Sequence, residues 1–121
     1  MARLPYVDPA GAPERVRDTL DKLAAPLKIF RMMAHAETNF RPLVQLGGSI
    51  LSRQQLDARL RELAILRVAR LSKAEYEWTQ HVPIGKAVGL GDAQIAALQA
   101  GDATASCFDA TDRLVLQFAD E

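Results

Sequence analysis

Residues 60–71 read Leu-Arg-Glu-Leu-Ala-Ile-Leu-Arg-Val-Ala-Arg-Leu, and no period-2 alternation fits them. Over residues 54–72, Leu56, Leu60, Leu63, Ala64, Leu66, Val68 and Leu71 recur at helical spacing, while Arg59, Arg67 and Arg70 leave only a narrow polar seam. A helix apolar on so many sides is central to its fold or is shared with another subunit. Glu62 interrupts the stripe of Ile65, Leu66 and Ala69. A carboxylate in that position needs a partner.

After that stretch, Ser72-Lys73 reads as a tight break and a second helix follows over 74–88. Pro83 falls inside it, frees the carbonyl of Thr79 and predicts a kink beside His81. The stretch Glu75-Tyr76-Glu77-Trp78-Thr79-Gln80-His81 sets Glu77 and His81 four apart on one helical face. If the two helices form an antiparallel hairpin, Glu62 lies eleven residues before Lys73 and His81 eight after it. At ~1.5 Å per residue their heights differ by about 4–5 Å, so the two can face each other. Two carboxylates and an imidazole gathered in one place are the equipment of proton transfer. Burial and mutual repulsion would let such a group hold one exchangeable proton near neutral pH. Tyr76, Trp78, Phe30, Met32 and Met33 supply a flat apolar wall for a planar organic substrate.

The same residues admit plainer roles. Glu77 and His81 also fit an ordinary surface pair, Glu62 an ion pair with Arg59 or Arg67, and Tyr76 and Trp78 core or interface packing. His35 fits a cation at the end of a short helix or a satisfied core group. One imidazole and two carboxylates, without a thiolate or second nearby histidine, make a weak zinc signature. No strand precedes Gly47-Gly48 or Gly89-Leu90-Gly91, so no phosphate loop is supported. Neither a metal nor an organic cofactor is expected.

The remaining chain reads as helices throughout. Pro5, Pro9, Gly11 and Pro13 turn residues 1–13 into an extended arm over the surface, of a kind that often reaches a neighbouring subunit. Val16, Leu20 and Leu23 predict a helix from Glu14 to near Pro26, and residues 29–35 a second. A third runs to Leu51 with Gly47-Gly48 inside, which predicts a close helix crossing there. Residues 92–100 form a short helix with Ile95 and Leu98 inward and Gly101 as its stop. Asp109 caps a last one carrying Leu114, Val115, Leu116 and Phe118, with Asp112 in its first turn. The fold class is all-α, and 121 residues suit a single domain over 1–121.

Fifteen basic and fifteen acidic residues cancel, which removes the field that nucleic acid or an anionic membrane would require. Without a leader-like opening or an apolar run of about 18 residues, the expectation is a cytoplasmic chain whose partners are a small molecule and itself. Cys107 is the single cysteine, in a small-residue segment, and reads as a loop thiol without a task.

Residues 60–71, the segment from Glu75 to His81 and Gly89-Leu90-Gly91-Asp92 together resemble the carboxymuconolactone decarboxylase family. The likeness is closest to the branch with a Glu-Tyr-Glu-Trp-x-Gln-His signature, and it extends from Leu4-Pro5-Tyr6 to the last helix. It implies an alkyl hydroperoxidase D-like helical array assembled into homo-trimers or hexamers, with a further helical stretch beyond the point where this chain stops. In the peroxidase branch a Glu, a Cys-x-x-Cys pair and a His would fall on Glu62, Ala74, Glu77 and His81. Both sulfurs are missing here, which argues against thiol peroxidase chemistry. The decarboxylase branch implies His81 as general acid, Glu77 as its orienter and Glu62 as a second relay member, acting on a small carboxylated or lactone-type substrate. The alternative is a non-catalytic oligomeric or ligand-binding protein on the same scaffold; a third reading is a redox helper working through Cys107.

Overall fold

The computed structural model describes residues 3–25 and 27–121. Met1, Ala2 and Pro26, the last being the expected stop of the first helix, lie outside the described residues. Every regular element among the described residues is helical: α1 (Glu14–Leu20), α2 (Lys28–Met33), α3 (Glu37–Ser52), α4 (Ala58–Leu71), α5 (Glu75–Ala87), α6 (Asp92–Ala100) and α7 (Ala110–Asp120). They gather into two compact units, Met1–Gln54 and Gln55–Glu121.

In the first unit Val16, Leu20, Ala34 and Phe40 are buried together. α1 stops at Leu20, earlier than the Val16-Leu20-Leu23 spacing predicts, and Leu23 packs on the same cluster from the turn that follows. The proline-rich arm is not free to reach elsewhere at Pro5 and Val7. Val7 and Arg31 exchange hydrogen bonds of 3.2 and 2.9 Å, backbone and side chain, and the Arg31 guanidinium lies 5.7 Å from the Tyr6 ring centroid. His35 neither caps a helix with its ring nor joins the core, because its Nε2 donates to the Pro5 carbonyl at 2.8 Å. Proline density still permits one 3-10 turn, Pro9–Gly11, capped by the Asp8 carboxylate.

The expectation of a close crossing at Gly47-Gly48 is corrected. α3 runs through both glycines, and a Cβ added at either would meet nothing within 4 Å. The tight approach occurs in the second unit at Gly85. A Cβ there would stand 2.9 Å from Leu90 Cδ1, 3.3 Å from Leu66 Cδ1 and 3.7 Å from Glu62 Cβ. Gly85 lies one turn beyond His81, so its missing side chain lets α5 settle against α4 where the titratable groups are.

α4 begins at Ala58 because the Asp57 carboxylate accepts from the Arg59 and Leu60 amides. It ends in a turn with Lys73 at φ 55°, closed by the Ala74 amide on the Ala69 carbonyl at 2.8 Å. α5 runs unbroken through Pro83 to Ala87, and the turn that follows carries Gly89 at φ 106°. Leu63, Leu66, Ala69, Trp78, Leu90, Ile95, Leu98, Phe108 and Leu116 form the buried core of this unit, drawn from α4, α5, α6, α7 and the segments between them.

Candidate functional site

Glu62 is fully buried, in the middle of α4. Isolating a carboxylate from water costs several kcal/mol unless its oxygens are paired, and both are. Oε1 accepts from Arg61 Nε at 3.2 Å, and Oε2 lies 2.6 Å from His81 Nδ1. A carboxylate oxygen and a bare ring nitrogen cannot sit that close, since both would present lone pairs. A proton therefore lies between them, on the Nδ1 side or shared.

The other ring nitrogen, Nε2, stands 3.2 Å from Oε1 of Glu77, one turn back on α5. The imidazole is thus held between a buried carboxylate and one whose side chain is 48% exposed. With both ring nitrogens protonated, the charges of Glu62, Glu77, Arg61 and His81 sum to zero. Losing the Nε2 proton leaves the group with one negative charge. The arrangement is closed to solvent at Glu62 and open to it at Glu77.

The structure brings Glu62, Glu77 and His81 together. Arg61 joins them, whereas neither Arg59 nor Arg67 does. Arg59 pairs with buried Asp112 at 2.7 Å, and Arg67 with Asp120 at 2.6 Å. Residue spacing could not select Arg61, because adjacent residues on an ideal helix do not face each other and only the length of the arginine stem makes the contact. Among the described residues no group of three or more His, Cys, Asp or Glu side chains could hold a metal ion. Here the two carboxylates engage opposite nitrogens of one ring and so do not converge on a point.

A groove of about 340 Å³ adjoins Glu77. The wall expected from Tyr76, Trp78, Phe30 and Met33 is not what lines it. Trp78 is buried in the core with the Arg70 guanidinium 5.4 Å from its ring centroid, because its bulk is needed between α4 and α5. Phe30 and Met33 pack on the core of the first unit, and Tyr76 is partly exposed at 38%. The lining comes instead from Ile65, Val68 and Ala69 of α4 and Phe118 of α7, with Ser72 and Glu77 at polar positions. Spacing on α4 makes the first three legible as one stripe, but nothing in the sequence tells that α7 stands opposite. Cys107 is partly buried against the core of this unit, consistent with a packing role.

Residues 38–121 match the model of the carboxymuconolactone decarboxylase family, a span that includes Glu62, Glu77 and His81 and begins later than the likeness seen from Leu4. Comparisons with curated proteins and with solved structures return no match.

Proposed function

The chain belongs to the carboxymuconolactone decarboxylase family, and on that premise we propose that it is a cofactor-free proton-transfer enzyme acting on a small lactone-type or carboxylated organic substrate. One observation carries the reading: the His81 ring bridges buried Glu62 at 2.6 Å and half-exposed Glu77 at 3.2 Å. In a decarboxylating turnover the bond to the carboxylate carbon breaks, CO2 leaves, and the electron pair stays on the substrate as an enolate. That carbon needs a proton. His81 Nε2 supplies it, directly or through Glu77, and the ring regains a proton from water at the exposed end. Glu62 keeps Nδ1 engaged, which fixes the ring plane and turns Nε2 towards Glu77. In this proposal the two glutamates exchange the roles that the family resemblance implies. Glu62 is the orienter of the ring, and Glu77 is the relay member next to the groove.

A thiol mechanism has no support, since the one cysteine is Cys107 and positions 74 and 77 carry Ala and Glu. The test is His81→Ala, assayed for CO2 release from a carboxylated lactone and for hydrogen–deuterium exchange at the carbon next to the carbonyl of a plain lactone. General acid–base groups contribute about 10²–10⁴-fold, so both rates should fall by that order. Unchanged rates in both assays would remove His81 from the chemistry and leave the non-catalytic alternative.

A further inference from the structure

We propose that the groove beside Glu77 is a subsite for an uncharged lactone or ketone, and that it disfavours the carboxylated form of the same molecule. This rests on the proton-transfer reading and narrows its substrate class. At about 340 Å³ the groove suits a small organic molecule. Its walls are the alkyl groups of Ile65, Val68 and Ala69 and the ring of Phe118. Ser72 adds a hydroxyl, but that hydroxyl already donates to the Val68 carbonyl at 2.6 Å. Among the described residues lining the groove, Glu77 is the one charged group.

A substrate carboxylate in this groove would lose hydration against carbon, find no cation among the described residues that line it, and stand beside a like charge. The arginines of α4 are each engaged elsewhere. Arg59 holds Asp112, Arg61 holds Glu62, Arg67 holds Asp120, and Arg70 reaches Glu75 and the Trp78 face. A neutral lactone meets none of these penalties. Its ring and alkyl tail cover the apolar walls while its acidic C–H points at the Glu77–His81 end.

The chemistry that follows balances without any co-reactant. The Glu77 carboxylate takes a proton from the carbon next to the carbonyl, the C–H bond breaks, and its electron pair passes into an enolate. The same proton, or one exchanged with water through His81, then returns to that carbon or, in an unsaturated lactone, to the far end of the conjugated system. The net result is hydrogen exchange or a shifted double bond.

The experiment uses the full chain at pH 7.5, titrated with γ-nonalactone and separately with the same lactone bearing a ring carboxylate. Binding is followed by NMR signals of the Ile65 and Val68 methyl groups and the His81 ring. The neutral lactone should move all three sets, and the carboxylated one should bind at least tenfold more weakly. In Glu77→Gln that ratio should shrink. Equal or tighter binding of the carboxylated lactone overturns the proposal, as does a shift of the same signals with protein concentration alone, which would mean that a second copy occupies the groove. Deuterium exchange separates the two ideas. Binding of the neutral lactone without exchange sinks the proton-transfer reading and upholds the groove's preference, whereas turnover of the carboxylated lactone without neutral binding does the reverse.

Discussion

Burial decides which nitrogen of His81 is available. Nδ1 is committed to a carboxylate with no exposure, while Nε2 faces one in contact with water. Replacing Glu62 by Gln keeps the shape of the side chain and removes its charge, so the ring loses the charge-assisted contact that holds Nδ1 at 2.6 Å. The expected result is a fall in kcat of about 10²-fold or more with little change in KM. A fall in KM affinity alone would assign Glu62 to substrate binding. In Gly85→Ala the new Cβ meets Leu90 Cδ1 at 2.9 Å and Leu66 Cδ1 at 3.3 Å. Both are side-chain ends that can move, so overpacking should cost about 1–3 kcal/mol in urea unfolding rather than abolish folding. The meeting of Glu62 and His81 was legible from their distances to Lys73 along two helices of known rise. The importance of Gly85 was not. A glycine pair such as Gly47-Gly48 stands out in a sequence, but whether another backbone comes near is decided by tertiary packing.

At the level of elements, α4 organises its unit through polar ties as well as through Leu63 and Leu66. Buried Asp112 on α7 meets Arg59 of α4 and Gln94 of α6, and Asp120 near the end of α7 takes two hydrogen bonds from Arg67. Helical periodicity found all these elements and placed Ile95, Leu98 and the Asp109 cap correctly. It could not pair them, because the partner of a surface arginine depends on which helix lies across from it. The hydrogen bonds from Arg67, aided by its charge, hold the Asp120 carboxyl below the usual carboxylate range. A carboxyl with a lowered folded pKa stabilises the native state above its unfolded pKa of about 4, and that contribution is lost as pH falls through the folded value. Asp120 is partly exposed, so the pair should contribute on the order of 1 kcal/mol or less. Asp120→Asn should therefore be less stable than the parent at pH 7 in urea unfolding, with the gap closing towards pH 3. A gap that persists at acid pH would place the effect in packing. The α4–α5 turn offers a simpler case. Lys73 holds φ 55°, a conformation that costs a side-chain-bearing residue about 1 kcal/mol, and Lys73→Gly should raise stability by up to that amount.

On the scale of the whole molecule, the apolar surface left uncovered is the feature that needs a partner. Along α3, Leu43, Leu46 and Ile50 recur at spacings of three and four and remain 38%, 58% and 43% exposed, although only Phe40 of that helix is fully buried. A stripe of this kind on an amphipathic helix is costly to leave in water, at roughly 25 cal/mol per Å². No helix among the described residues is long and apolar enough to cross a membrane, and the formal charge of zero provides little repulsion between copies. We therefore propose that the chain self-associates through α3, as a homo-trimer or hexamer. Light scattering on a sizing column should give a mass several times the 13.3 kDa of one chain. Leu46→Asp places a charge at the most exposed point of the stripe, 58% open in the single chain, and should lower that mass without reducing helical content by circular dichroism. A monomeric parent protein would refute the association, and an unchanged mass in Leu46→Asp would move the contact to another face.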